Sequence, residues 1–135
     1  MKYARWLGII IGLQFALYGA YCIYQPGFVP HITGMTVSAP ALTEITAMYG
    51  GLELGFGIFL IATALRVQTL EACMLAVVLL CGGLGCTRGL AIALHGGDAY
   101  NSPAIGFELT LFVLGLVGLL KVRQAQRGLA VPAPQ

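Results

Sequence analysis

The chain has 135 residues, of which 59% are hydrophobic and only 9% are charged. A soluble domain has about 25% charged residues, so this composition excludes an ordinary soluble protein. The formal net charge of +2 does not indicate a nucleic-acid partner, because the basic residues flank long apolar runs. The surroundings predicted for this chain are therefore a lipid bilayer.

Four apolar runs follow one another along the chain, at about residues 6–24, 42–65, 72–94 and 104–120. Each is close to the roughly 20 residues that cross a bilayer core as a helix. The runs lack the period-two pattern of β-barrel strands. Helices are then the structure that satisfies their backbone hydrogen-bonding groups in lipid. We predict an all-α, four-transmembrane-helix bundle with antiparallel up-down topology. Residues 1–135 form a single membrane domain, and a disordered cytoplasmic tail begins at about residue 124.

Basic residues flank these runs on one side of the predicted bundle only. There are six of them: Lys2, Arg5, Arg66, Lys121, Arg123 and Arg127. The loops at 25–40 and 95–103 contain no Lys or Arg. By the positive-inside rule, both termini and the 66–71 loop are cytoplasmic, and the other two loops face outward. We predict a multi-pass protein of the bacterial inner membrane.

The outer loops differ in length and character. The first, QPGFVPHITGMTVSAP at 25–40, contains three prolines and two glycines, and we expect it to be irregular rather than helical and to cap the outward end of the bundle. The second, HGGDAYNSP at 95–103, is short, polar and rich in turn residues. The second predicted helix begins near Glu44, whose carboxylate would favour the positive end of the helix dipole in the first turn.

Glycines recur at small-xxx-small spacing inside the spans, in GIIIG at 8–12, GLELG at 51–55 and GCTRG at 85–89. This spacing lets membrane helices approach closely. We therefore assign structural packing roles to five glycines: Gly50, Gly51, Gly55, Gly85 and Gly89. The close approach is expected within the bundle or between two copies of the chain.

Three charged residues, Glu53, Arg88 and Glu108, lie inside the predicted spans beyond the first turn of each helix. A charge at the bilayer centre costs about 2.5–3.5 kcal/mol on insertion scales, so such residues usually face the bundle interior and serve a function. Arg88 is six residues before Leu94, about 9 Å from the outer end of its helix, and Glu108 is about 6 Å from the same side. At matching depths on sequential antiparallel helices, these two are natural ion-pair partners. The pair would serve a ligand or only fix the helix register.

Helical spacing places small or polar residues on two opposite faces of the second span. One face carries Tyr49, Gly50, Glu53 and Gly57, and the other carries Glu44, Met48, Gly51 and Gly55. We predict that this helix packs on both sides. Tyr49 is either a binding residue or a packing aromatic whose hydroxyl bonds Glu53, four residues on.

On the third span, a stripe that includes Gly85 and Arg88 leads to His95 at the outer loop. We predict an outward-opening polar funnel with Glu53 at its floor. Its candidate binding residues are Arg88, Glu108, Glu53, Tyr49 and His95.

No metal or cofactor is expected. The four cysteines contain no Cys-x-x-Cys pair, and we interpret them as small packing residues. His31 and His95 have no second ligand at a supporting spacing, and an ordinary interfacial role accounts for both.

The motif EITAMYGGLELGFG, Arg88 in a glycine-rich third span, a Gly-Asp turn and FEL at the start of the fourth span together resemble a family of small bacterial four-helix membrane proteins of unknown function. The resemblance covers roughly residues 5–120, and the chain also looks broadly similar to DoxX-like proteins. The matching positions are Glu44, Tyr49, Gly50, Gly51, Arg88, Gly89, Asp98 and Glu108. The resemblance implies a fold and a membrane location, and it does not imply a reaction.

Three classes of function stay open. The leading interpretation is a non-enzymatic binding, scaffold or accessory subunit with an outward-facing polar pocket for a small amphipathic ligand or a membrane-protein partner. The alternative is a dimeric small-molecule or proton-coupled transporter that uses Glu53, with the small-xxx-small faces forming the homodimer. An enzyme is least favoured, because no nucleophile–base pair, phosphate loop or metal spacing accompanies the acid–base groups. We predict no catalytic residues.

Overall fold

The computed structural model of the chain describes residues 1–130, with side chains as far as residue 128. Its α-helices are α1 (Lys2–Tyr24), α2 (Phe28–Thr33), α3 (Ala39–Ile45), α4 (Glu53–Ala64), α5 (Leu70–His95) and α6 (Asn101–Ala130). A π-helical segment, Thr46–Leu52, joins α3 to α4 without interruption, and a 3-10 turn, Val67–Thr69, precedes α5.

Four helical stretches are long and apolar enough to cross a membrane: Lys2–Tyr24, Ala39–Ala64, Val67–His95 and Asn101–Gly128. The predicted all-α fold with four long antiparallel helices is confirmed. The chain is therefore described as a small multi-pass membrane protein. The cytoplasmic placement of its termini stays a prediction.

The last helix is longer than predicted at both ends. It begins at Asn101 and runs to Ala130, so residues 124–130 are helical and not disordered as expected. The run KVRQAQR after the apolar segment consists almost entirely of good helix formers, which let the helix continue past the lipid. Residues 131–135 of the predicted tail lie outside the described residues.

Residues 25–40, the predicted first outer loop, contain one helix and the start of another, so the prediction that this segment is irregular is wrong in these two places. Pro30 is tolerated in α2 because it is the third residue, where the missing N–H would have no partner inside the helix. Gly34 then ends α2 in the left-handed region, at φ 70°. Ser38 caps α3 by accepting a hydrogen bond from the Ala41 N–H at 3.5 Å.

Because α3 begins at Ala39, Glu44 is its sixth residue and is exposed. The predicted role of Glu44 in the first helical turn is therefore wrong. Ser38 and Pro40 are the residues that start this helix, and both were treated as parts of the loop.

The chain divides into two compact units, each described on its own. One comprises Ile9–Ala62 and is called the α1–α4 unit here. In it, α1 and α4 run antiparallel and touch through glycine. A Cβ atom added to Gly57 would lie 2.5 Å from the backbone oxygen of Gly12, and one added to Gly19 would lie 2.7 Å from that of Gly50. The two backbones are therefore in direct contact.

The opposite face of this span is open. An added Cβ on Gly51 or Gly55 would meet nothing within 4 Å, and both residues are exposed, as are Glu44 and Met48. The prediction that the second span packs on two sides is therefore wrong within the described chain. Gly50 packs as predicted, whereas Gly51 and Gly55 contact no neighbouring helix.

The other unit comprises Met1–Gly8 and Thr63–Gln135 and is called the α5–α6 unit here. Its antiparallel helices also meet at glycines: Gly85 and Gly89 of α5 lie against Leu109 and Ile105 of α6. The packing roles predicted for these two glycines are confirmed. The start of α1 joins this unit through the Tyr3 hydroxyl, which donates to the Leu114 carbonyl at 3.3 Å. Among the cysteines, Cys22, Cys73 and Cys81 are buried, whereas Cys86 is exposed.

We predict that Gly57→Ala destabilises the α1–α4 unit by roughly 1–3 kcal/mol, because the new methyl group has no space beside the backbone of α1. Thermal unfolding in detergent measures the effect. Gly55→Ala, two residues away on the open face, is the matched control and should leave the stability unchanged or slightly raised. Equal effects of the two substitutions would contradict the packing described here.

Candidate functional site

Arg88 and Glu108 meet where glycines bring α5 and α6 together. Gly85 and Gly89 lie on either side of Arg88 along α5, and a Cβ on Gly85 would lie 3.0 Å from Leu109 and 3.7 Å from the Glu108 Cβ. The absence of side chains at these glycines lets α6 approach at the level of Arg88. Glu108 is consequently buried beside α5, with 8% of its surface exposed.

The two side chains form a bidentate ion pair. The Arg88 Nε donates to Glu108 Oε2 at 2.9 Å, and the Arg88 Nη2 donates to Oε1 at 2.6 Å. Planar guanidinium and carboxylate groups match in this geometry, which is stronger and more specific than a single contact. The predicted ion pair is confirmed. The Arg88 side chain keeps 23% of its surface exposed, so this fixed side chain is partly accessible.

Asn101 and Asp98 extend the pair toward the loop. Arg88 Nη1 donates to Asn101 Oδ1 at 2.6 Å, and Asn101 Nδ2 donates in turn to Asp98 Oδ2 at 2.7 Å. Asp98 Oδ1 accepts the backbone N–H groups of Tyr100 and Asn101, at 2.8 and 2.6 Å. We call Asp98, Asn101, Arg88 and Glu108 the polar chain. It joins a loop carboxylate to a buried carboxylate through one amide and one guanidinium group.

Tyr100 and Asn101 complete the surroundings of the cation. The Tyr100 ring centroid lies 5.9 Å from the Arg88 Cζ, within the range of a cation–π contact. Asn101 was not among the predicted site residues. The available signal was an aspartate three residues before an asparagine at the start of a helix, which is a typical capping arrangement.

Asp98 has a lowered pKa. The backbone N–H and the side-chain amide of Asn101 and the backbone N–H of Tyr100 all donate to its carboxylate, and nearby Arg88 acts in the same direction. These bonds favour the charged form. The charged Asp98 therefore fixes the first turn of α6 and, through Asn101, the outer side of the guanidinium.

His95 is not part of the polar chain. It is the last residue of α5, is exposed, and makes no hydrogen bond or ion pair with the residues that the structure describes. Its predicted binding role stays a prediction. No group of three or more His, Cys, Asp or Glu side chains within the described residues is arranged to hold a metal ion.

Glu53 and Tyr49 belong to the α1–α4 unit, and the predicted funnel that joins them to Arg88 and Glu108 stays a prediction. Glu53 is the first residue of α4 and is half-buried. It lies within electrostatic range of Cys22, which is hydrogen-bonded to Tyr18.

No hydrogen bond joins Tyr49 to Glu53 in the described structure, and Tyr49 is 38% exposed. Tyr49 lies in the π-helical segment. The wider π turn moves residues four apart out of line, so the α-helical spacing that was assumed does not apply there.

Residues 3–119 match the model of a family described as a domain of unknown function (DUF4345). None of the curated proteins and none of the solved structures matches the chain. The match covers all four long helices except the first residue of the first and the end of the last. Both members of the buried ion pair lie inside it.

We predict strong energetic coupling between Arg88 and Glu108. Glu108→Leu alone leaves Arg88, a partly exposed cation within a membrane-spanning stretch, without its carboxylate partner and should lower the free energy of unfolding by up to roughly 3 kcal/mol, the low end of the range for a fully buried pair. The double variant Arg88→Met/Glu108→Leu should lose less than the sum of the single variants. Chemical unfolding in detergent supplies the values for the cycle.

The pair Arg123–Glu71 is the matched control, because it joins the same two helices at 2.8 Å but is much more exposed. Its double-mutant cycle should give a coupling of about 1 kcal/mol or less. Additive losses at Arg88 and Glu108, within about 0.5 kcal/mol, would contradict the coupling.

We predict that Asp98→Ala speeds amide hydrogen exchange at Tyr100 and Asn101, since both N–H groups lose their acceptor. Asp98→Asn keeps one acceptor oxygen and should have a smaller effect. Because the folded pKa lies below the ordinary 3.8, the protection from charged Asp98 is complete above that value and is lost as the pH falls below it. Hydrogen exchange with mass spectrometry at several pH values checks this, and equal exchange in the wild type and Asp98→Ala at neutral pH would refute it.

Proposed function

We propose that this chain, which belongs to the DUF4345 family, is a non-enzymatic binding or accessory protein of the bacterial inner membrane. Its site is the polar chain together with Tyr100, on the outward side of the membrane. The ligand is a small amphipathic molecule, or a segment of a partner protein, whose polar group contacts Arg88. The likeness to DoxX-like four-helix proteins fits this proposal.

The observation that carries the proposal is a fixed, accessible cation in an apolar helix pair. Replacing a buried ion pair by apolar residues is often neutral or stabilising, so stability alone does not require Arg88 and Glu108. Glu108 and Asn101 hold the guanidinium in one orientation before any ligand arrives. A preorganised group binds with a smaller entropy loss than a mobile one.

The surroundings of Arg88 suit a ligand with one polar end. Leu84 lies one helical turn from Arg88 toward the middle of α5 and is 37% exposed. The aromatic ring of Tyr100 lies beside the guanidinium. A polar group at Arg88 can therefore continue into an apolar portion along Leu84. The four side chains of the polar chain are fixed by hydrogen bonds to one another, and such a fixed arrangement favours ligand binding over proton transfer.

The outward placement rests on charge. The polar chain and its loop lie at the end of α5 and α6 opposite to Lys121, Arg123 and Arg127, and the positive-inside rule assigns that basic end to the cytoplasm. Cysteine accessibility in intact cells tests this, with single cysteines at residues 97 and 128 in a cysteine-free background. Labelling of Gly128→Cys but not of Gly97→Cys by a membrane-impermeant reagent would show that the protein has the opposite orientation in the membrane.

We predict that the wild-type protein, purified in mild detergent, retains a ligand or partner that native mass spectrometry and cross-linking detect. Arg88→Gln should reduce retention about tenfold or more, as expected for a lost charge-assisted contact. Leu84→Trp should block the same site without touching the ion pair. Arg123→Gln removes an equal charge at the other end and should retain the ligand.

A monomer free of ligand and partner under all solubilisation conditions would overturn the proposal. Equal retention in Arg88→Gln and Arg123→Gln would overturn the assignment to this site. Because Arg88→Gln affects folding as well, Leu84→Trp gives an independent result. Normal ligand retention by Leu84→Trp would likewise count against the site.

A second candidate, a dimeric small-molecule or proton-coupled transporter, is favoured by Glu53. This carboxyl lies half-buried in a membrane-spanning stretch, directly after a π-helical segment, and such segments often mark functional sites. Proton-driven flux in proteoliposomes should then require Glu53. Flux that Glu53→Gln leaves unchanged would remove this candidate.

A further inference from the structure

A groove lies at the end of the α5–α6 unit opposite to the polar chain. Its volume is about 370 Å³, and its lining residues are Glu71, Arg123, Gln126 and Arg127. We call it the basic groove. Arg123 Nε donates to Glu71 Oε1 at 2.8 Å, which occupies the only acidic side chain of the lining. Arg127 makes no hydrogen bond or ion pair with the described residues.

The surroundings of the basic groove are strongly positive. Six of the seven Lys and Arg residues belong to this end of the unit: Lys2, Arg5, Arg66, Lys121, Arg123 and Arg127. Lys121 lies there beside the start of α1, with its Nζ 4.8 Å from the Tyr3 ring centroid. Glu71 is the only acidic residue between Thr63 and Ala72 or after Leu120. An anion is therefore attracted to this end, where Arg127 has no counter-ion among the described residues.

The depth of the groove matches that of lipid headgroups. The apolar run of α6 ends at Leu120, so Arg123 and Arg127 lie about 4.5 and 10 Å beyond it along the helix. The headgroup region on each side of a bilayer is roughly 5–8 Å thick, so Arg123 lies within it and Arg127 lies just beyond it, at a distance that its long side chain can span. On α5, Glu71 immediately precedes the apolar run that starts at Ala72. The groove thus spans the boundary between hydrocarbon and water.

Exposed apolar side chains continue from the groove into the hydrocarbon. Leu75 is one turn from Glu71 and 38% exposed, and Leu120 is one turn from Arg123 and 51% exposed. A soluble phosphate compound would use only the arginines. A phospholipid would use the arginines for its phosphate and these leucines for its acyl chains.

We propose that the basic groove is a binding site for the headgroup of an anionic phospholipid. Arg127 and Arg123 contact the phosphate, and Gln126 donates a hydrogen bond to it. A guanidinium group presents a planar fork of N–H donors that fits two phosphate oxygens. Glu71 opposes binding, because it neutralises Arg123 and repels the phosphate. The site is independent of the function proposed for the polar chain.

The experiment measures lipid retention by native mass spectrometry after equal exposure of the full chain to phosphatidylglycerol and to zwitterionic phosphatidylcholine. The wild type should retain phosphatidylglycerol preferentially. Each arginine near an anionic membrane surface contributes enough to change binding roughly fivefold. Arg127→Gln should therefore reduce retention about fivefold, and Arg123→Gln/Arg127→Gln should reduce it further.

Three further variants sharpen the test. Glu71→Gln releases Arg123 and should raise phosphatidylglycerol retention, a gain that misfolding does not produce. Arg66→Gln removes one positive charge outside the groove lining and should have a clearly smaller effect than Arg127→Gln. Leu84→Trp blocks the site at the polar chain without touching the ion pair and should leave lipid retention unaltered, which separates failure of this proposal from failure of the proposed function.

Three outcomes would overturn the proposal. Equal retention of the two lipids would exclude anionic selectivity. Equal losses in Arg66→Gln and Arg127→Gln would indicate a diffuse charge effect and no defined site. Displacement of the lipid by millimolar inorganic phosphate at constant ionic strength would indicate a soluble phosphate ligand, because the acyl chains would then contribute nothing.

Discussion

Direct contact between helix backbones at glycine is the constraint on which the rest of this structure depends. In lipid, helices gain little from burying apolar side chains against one another, so close packing and polar contacts hold them together. In the α1–α4 unit, Gly19 and Gly57 bring backbone against backbone. In the α5–α6 unit, Gly85 and Gly89 provide the space in which Glu108 reaches Arg88. The ion pair therefore forms because the neighbouring residues of α5 are glycines. Larger residues at Gly85 and Gly89 would move α6 away from α5 and so separate Glu108 from Arg88.

The polar chain resolves the difficulty of holding a charge near lipid. Arg88 has one buried partner in Glu108, while Asn101 connects it to Asp98 at the end of the helices. The charge is thus neutralised on its interior side and hydrogen-bonded on its outer side, and part of the guanidinium surface is left accessible. At the other end of the same two helices, Arg123 and Glu71 form a second pair that is far more exposed. One unit therefore presents a rigidly held cation at one end and a loosely paired cation at the other.

Much of this was predictable because the membrane restricts what a sequence can do. Apolar length gave the four spans, and counting residues from their ends gave the Arg88–Glu108 pair, since depth and helix direction leave few alternatives. The errors arose where the backbone departs from a regular helix. Ser38 and Pro40 start α3 early and move Glu44 out of the first turn, and the π turn separates Tyr49 from Glu53. Asn101 was missed because its role depends on the side-chain geometry of Asp98 and Arg88, which spacing alone does not specify. The open face at Gly51 and Gly55 could not be predicted from the sequence either, because small-xxx-small spacing does not show whether a neighbouring helix is present.

The π-helical segment has a consequence for how the second span is oriented about its own axis. A π turn contains more residues than an α turn. The residues of α3 are therefore rotated about the helix axis, compared with the positions that they would have in a continuous α-helix with α4. Glu44 lies before this segment in the sequence and Glu53 lies after it. Because the turn between them is wider, the face of the span on which each carboxyl lies does not follow from α-helical spacing. The span therefore consists of two α-helices, α3 and α4, that are rotated relative to each other about the helix axis by the π-helical segment between them. Loss of a single residue between Thr46 and Leu52 would rotate α3 by about 100° relative to α4, while Gly57 of α4 kept its contact with α1.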